Sequence, residues 1–182
     1  MVDNGVKVLV ITTELTTRGW IEQMESIGYG MTNAISEGRV MVLSRYGTVA
    51  DARQDVTLQE VLSSPAIPAA DVIVLDSASS LMPEGGTKAD HHTLIQQLRK
   101  IASDGRSFML CADPEEMDHT LLHTLRASAE VVLDLDNAMI GGEIKRNIII
   151  TRFLRAAGPI QTSIGWRVEP GMGFIVDITA VS

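Results

Sequence analysis

The stretch Asp71-Val72-Ile73-Val74-Leu75-Asp76-Ser77 decides the fold of this chain. Its continuous Val/Ile/Leu run reads as a strand buried on both faces, as in the middle of a parallel sheet. An acid and a hydroxyl end the run. A carboxylate at the C-terminal end of such a strand stands where open α/β sheets bind their ligands.

Working outward, Val6 to Thr13 (VKVLVITT) is a second buried-strand run, closed by Glu14. Thr16 to Ile27 reads as an amphipathic helix, capped by Thr16 or Thr17 and ended by Gly28 and Gly30. Trp20, Ile21, Met24 and Ile27 share its apolar face. Arg39 to Ser44 is a third strand, Tyr46 to Arg53 a loop, and Thr57 to Leu62 a short helix. Asp90 to Ser103 is a helix striped by Leu94, Ile95, Leu98 and Ile101. Ser107 to Ala112 is another buried strand. Asp113 caps a helix that has Pro114 in its first turn and runs to about Ala127. Glu130 to Leu135 follows as a strand.

The C-terminal third changes character. Asn147 to Leu154, Ile164 to Val168 and Phe174 to Ala180 are strands without helices between them, and Glu169-Pro170-Gly171-Met172-Gly173 turns the last two into a hairpin. The pattern predicts an α/β fold. Its sheet is mostly parallel with antiparallel strands added at the C-terminal end, within one domain over residues 1–182.

Composition narrows the function. Apolar residues make up 45%, charged ones 21% and aromatics only 4%, so aliphatic side chains must build the core. A net charge of −8 argues against sequence-independent nucleic-acid binding, which needs clustered Lys and Arg. The single cysteine, Cys111, fits a reducing compartment, and no apolar run reaches the ~20 residues that span a bilayer. The N-terminus has no signal-peptide layout, and the reading is a cytoplasmic protein with no membrane insertion.

Glu14 and Asp76 each end a buried strand and so belong to one sheet edge. In nucleotide hydrolysis two such acids divide the work. A Walker B-type acid such as Asp76 anchors Mg²⁺, and the other orients or deprotonates the attacking water. Ser77 can bond to either acid or to a phosphate oxygen. A purely structural reading stands beside this one, with Asp76-Ser77 capping the next loop and Glu14 in the first turn of its helix. The partner motif G-x-x-x-x-G-K-[ST] does not occur in the 182 residues. Gly85-Gly86-Thr87-Lys88 holds its residue types in the wrong order and reads as a surface loop. His119 and His123 at i, i+4 form a weak metal pair and read as a solvated helix face, Asp90-His91-His92 as a polar first turn, and Cys111 as core. Lys145, Arg146, Arg152 and Arg155 bring positive charge late in the chain. Strict alternation puts Thr151, Phe153 and Arg155 on one face and Arg152 on the other. Such a cation suits a phosphate, as an arginine finger does, or equally the charge that protects an edge strand.

Three stretches carry a resemblance: ITTELTTRGWIEQMESIGYG, VIVLDSASSL and NIIITRFLRAAGPIQTSIGWRVEPGMGFIVDIT. In this order they resemble the FlaH (ArlH) family, RecA/KaiC-like ATP-binding subunits of the archaeal flagellar (archaellum) motor. The resemblance implies a RecA-type sheet and a cofactor set of ATP and Mg²⁺. It also implies homo-oligomeric ring formation and docking with the motor ATPase and membrane platform at the cytoplasmic face. By position, Glu14 resembles the acid after the strand that follows the P-loop helix. Asp76, with Ser77 beside it, resembles the Walker B acid, and Arg152 is the candidate cation for phosphate. ATP is then expected as a regulatory ligand with little turnover. Family members carry a strand, a Walker A loop and a helix ahead of the segment that begins here near Val6. Their lack in these 182 residues predicts exposed apolar sheet surface. Two alternatives remain: an active KaiC-like ATPase with its P-loop encoded upstream, and an α/β interaction module without a ligand.

Overall fold

The structure is a computed structural model that describes residues 2–46, 56–82 and 87–177. Expectations for residues 47–53, Pro83 to Gly86 and 178–180 lie outside the described residues. Contacts divide the chain into two compact units, Met1–Met24 with Gly30–Leu125, and Glu25–Tyr29 with Arg126–Ser182.

The first unit is built on the runs rich in branched aliphatics. Strands β1 (Val8–Thr12), β2 (Val40–Ser44), β3 (Val72–Asp76) and β4 (Ser107–Leu110) form a four-stranded parallel sheet in the order β2-β1-β3-β4. Helices α1 (Thr17–Ser26), α2 (Thr32–Ser36), α3 (Leu58–Leu62), α4 (Lys88–Ser103) and α5 (His119–Ser128) supply the connections. One face of the sheet carries the core: Leu9, Ile11, Ile73 and Leu75 pack with Leu58, Leu94 and Leu121. Ile73 and Leu75 are 0% exposed, and burying a side chain of this size stabilises by about 1.5–3 kcal/mol. The opposite face is only partly covered. Val72 and Val74 are half-buried, and Met109 is 53% exposed. Burial of β3 on both faces, expected from its sequence, therefore holds on one face only.

Helix ends follow their polar residues. Thr57 and Thr87 each form a reciprocal capping box, with Glu60 and Asp90. Thr87 and Lys88 thus belong to the start of α4. His91, expected in a polar first turn, points inward at 4% exposure, with neither ring nitrogen hydrogen-bonded. Asp113 does not cap α5. Its carboxylate accepts the Glu115 N–H at 2.9 Å in a turn of its own, and Asp118 caps the helix by accepting the Leu121 N–H at 2.9 Å. An Asx turn satisfies the same donors as a cap would, so Asp-Pro in sequence does not distinguish them.

The second unit is an antiparallel sheet of β5 (Val131–Ile140), β6 (Glu143–Phe153), β7 (Ser163–Glu169) and β8 (Gly173–Asp177), in that order. Parallel strands followed by antiparallel ones are as expected, and among the described residues they hydrogen-bond as two sheets and not as additions to one. β5 and β6 are longer than their sequence suggested and are joined by Gly141-Gly142 at φ 62° and 84°. Two left-handed central residues make the tight turn that matches strand twist.

The pairing shifts between Val132 and Leu133: Val132 faces Arg152, and Leu133 faces Ile150. Thr151 is the extra residue of a bulge, and its hydroxyl bonds to Asp134 at 2.9 Å. The bulge breaks the alternation, so Arg152 joins the side of Val132 while Phe153 joins Val131. β6 is also interior to its sheet, which removes the edge-strand reading of its arginines. Arg155 lies beyond the strand at φ 60° and pairs with Glu130. Arg126 forks onto Asp134 and, as the largest cause, holds that carboxyl below its ordinary range.

One face of this sheet is apolar and largely uncovered. Leu133, Leu135, Met139, Ile144, Phe153 and Val176 are 43% to 73% exposed. Contiguous patches of this kind mark interaction surfaces. The hairpin tip, by contrast, is tightly held. The Gly171 N–H donates to the Ser26 carbonyl at 3.3 Å, and the Phe174 N–H donates to the Tyr29 hydroxyl at 3.1 Å. A Cβ on Gly28, at φ 92°, would stand 2.5 Å from the Gly171 carbonyl oxygen, whereas one on Gly30 would meet nothing within 4 Å.

Gly28→Ala is expected to destabilise this unit by about 2 kcal/mol or more, and Gly30→Ala to change it by less than about 1. Urea unfolding followed by Trp166 fluorescence in a Trp20→Phe background measures both. Equal effects would contradict the contact.

Candidate functional site

Parallel pairing of β1 with β3 sets Thr12 opposite Asp76, so the loops that leave both strands start at the same edge. The chain then passes through Glu14, exposed between β1 and α1, and not within the first turn of the helix. Each hydroxyl of Thr12-Thr13 and Thr16 has its own task. Thr12 Oγ1 accepts the N–H groups of Glu14 and Leu15 at 3.4 and 3.2 Å, which bends the chain out of the sheet. Thr16 Oγ1 accepts the Gly19 N–H at 3.0 Å and caps α1. Ser44, the last residue of β2, donates its hydroxyl to the Leu15 carbonyl at 2.6 Å.

The β3 side is equally well tied. The Asp76–Ser77 peptide bond is cis. Ser77 Oγ accepts the Ser79 N–H at 3.2 Å, and Ser79 Oγ accepts the Asp113 N–H at 2.7 Å. The Ala78 N–H donates to the Cys111 carbonyl at 2.6 Å, which ties the β3 and β4 exits together. Glu14, Asp76, Ser77, Cys111, Ala112, Asp113 and Pro114 line an open cleft of about 370 Å³. The structure thus brings together Glu14, Asp76 and Ser77. Arg152 belongs to the other unit and is not among the lining residues. Its Nε is buried without a hydrogen bond.

Cys111 is the residue that sequence reasoning missed. It was expected in the core but lies one residue past β4, half-buried in the cleft. Burial, and then the charge and hydrogen bonding of Asp76 and the charge of Glu14, push its thiol pKa up. The strand's sharp stop before Asp113-Pro114, like those at Asp76 and Glu14, was the available signal.

His119 and His123 are exposed, and no group of three potential metal ligands occurs among the described residues. The cleft lining holds Glu14, Asp76 and Asp113 and no Lys or Arg. Carboxylate oxygens are the donor type a hydrated divalent cation takes, here from no more than two of these acids at once. The lining offers nothing to a triphosphate, which needs cations or a cradle of backbone N–H groups. The described cleft by itself therefore does not fit a nucleotide's phosphates.

Removing the Asp76 charge should release the thiol. Asp76→Asn is expected to raise the rate of Cys111 alkylation by iodoacetamide at pH 8 several-fold and to shift its pH profile downward. An unchanged profile would contradict the contact.

No family model matches the chain. The archaeal flagellar ATP-binding protein FlaH of Methanococcus voltae is 27% identical over 180 residues, covering 98% of this chain and 78% of that protein. FlaH of Methanocaldococcus jannaschii is 28% identical, with coverages of 98% and 77%. The crystal structure of the flagellar accessory protein FlaH from M. jannaschii superposes with a TM-score of 0.84 at 27% identity, over 97% of this chain and 78% of that one. A KaiC-like protein of Pyrococcus horikoshii shares the fold, with a TM-score of 0.70 at 18% identity over 96% and 78%. Likeness in sequence and in structure over nearly all of this chain, on a parallel sheet that ends in Glu14 and Asp76, makes it similar to FlaH, with a RecA/KaiC-like fold.

Proposed function

We propose that this chain acts as a FlaH-type assembly and regulatory subunit of the archaellum motor, with ATP as a regulatory ligand of low turnover. The observation that carries the reading is the cleft in which Glu14 and Asp76 stand together, an acidic half-site with no cation of its own. The relatives' designation as ATP-binding supports it. In this reading Asp76 would hold a divalent cation that offsets phosphate charge, and Glu14 would orient an attacking water.

The phosphate-binding half then comes from a further β–α segment bearing a Walker A loop. The relatives' length supports such a segment, since roughly a fifth of each lies outside the matched region. Arg152 is the candidate cation for phosphate in a homo-oligomer. The motor's ATPase and platform proteins are the proposed partners.

Calorimetry with Mg-ATP tests the reading on the 182-residue chain and on the same chain extended by a Walker A-bearing FlaH segment. Binding is expected at least tenfold tighter in the extended protein and lost in its Asp76→Ala variant. An extended, folded protein that ignores ATP would overturn it. The exposed position of Glu14 favours one second reading, an active KaiC-like ATPase. In that case Glu14→Gln would keep ATP affinity and abolish turnover.

A further inference from the structure

We infer that Thr13 is a positioning residue, whose buried hydroxyl sets the separation of the two loops that carry Glu14 and Asp76. The inference rests on the reading of those acids as one site.

Thr13 is 4% exposed and Ser77 8% exposed, so their polar groups find few partners in water. Three hydrogen bonds join Thr13 to Asp76 and Ser77 across the gap between β1 and β3. The Thr13 N–H donates to the Asp76 carbonyl at 2.8 Å. The Ser77 N–H donates to Thr13 Oγ1 at 3.0 Å. The Thr13 hydroxyl donates onward to the Ser77 carbonyl, also at 3.0 Å. One hydroxyl therefore serves as acceptor and donor to a single residue of the other loop.

This use of the hydroxyl is demanding. Serine and threonine can supply a donor and an acceptor at one atom, and valine, which matches threonine in shape, supplies neither. Loss of the hydroxyl would leave a Ser77 N–H and a carbonyl buried without partners, which opens the loop to solvent. Glu14 follows Thr13 directly, and Asp76 precedes Ser77 directly. Neither carboxylate forms an ion pair with a Lys or Arg among the described residues. Their spacing is thus imposed by the backbone through Thr13 and not by a salt bridge to either acid. Both carboxylates thus line the cleft without a basic partner, as a shared cation requires.

Amide exchange followed by NMR tests this without any nucleotide, so its outcome is separate from the outcome of the ATP experiment. In Thr13→Val the Ser77 and Glu14 amides are expected to exchange about tenfold faster, while the amides of Ile73 and Leu75 keep their rates. Thr13→Ser, which retains the hydroxyl, is expected to restore the original rates. Thr13→Ala replaces Thr13→Val if the latter does not fold. Unchanged exchange at Ser77, or acceleration spread evenly over the sheet, would overturn the inference. So would a Thr13→Ser protein that behaves like Thr13→Val.

Discussion

The parallel register between β1 and β3 is the constraint on which the chemistry of this chain depends. Thr12 stands opposite Asp76, and the pairing is anchored by Leu9, Ile11, Ile73 and Leu75 on the packed face. In a parallel sheet every strand ends at the same edge, so acids distant in sequence arrive together without any contact between their side chains. Neighbouring strands add to the edge: β2 contributes Ser44, which steadies the Glu14 loop, and β4 contributes Cys111, which receives the β3 exit. The cleft is a property of the whole sheet edge more than of any one loop.

How much of this the sequence made legible follows from what each signal measures. Apolar runs report burial, and the four parallel strands were found where the runs predicted them. Strand-end acids report topology, and Glu14, Asp76 and Ser77 do share one cleft. What escaped was decided by partners far away in sequence. Whether β3 is covered on both faces depends on other layers. The inward turn of His91 depends on what packs over α4. The place of Cys111 depends on one residue of strand length. The β5–β6 hairpin was legible in principle, because Gly141-Gly142 is a strong turn signal, yet the polar residues around it hid the extension of both strands.

The cleft and the apolar face are two kinds of incompleteness. The first is chemical: acids without a positive counterpart among the lining residues. The second is one of packing: an antiparallel sheet with one side in water and large aliphatic side chains on it. A sheet normally tolerates one wet face by making that face polar. Here the polar side is the one that carries Asp134 and its bonds to Arg126 and Thr151, while the apolar side stays bare.

The Thr151 bulge shows how that bare side is kept continuous. Without it, strict alternation would carry Arg152 into line with Ile148 and Ile150 and turn Phe153 away. With it, the strand is read in one phase before Thr151 and in the opposite phase after it. The extra residue works as a frameshift in the side-chain pattern. Relatives that lack one residue here would need the order of cation and aromatic reversed to present the same surface. An alignment of this strand by hydrophobic pattern alone would therefore place its gap, and its substitutions, at the wrong positions.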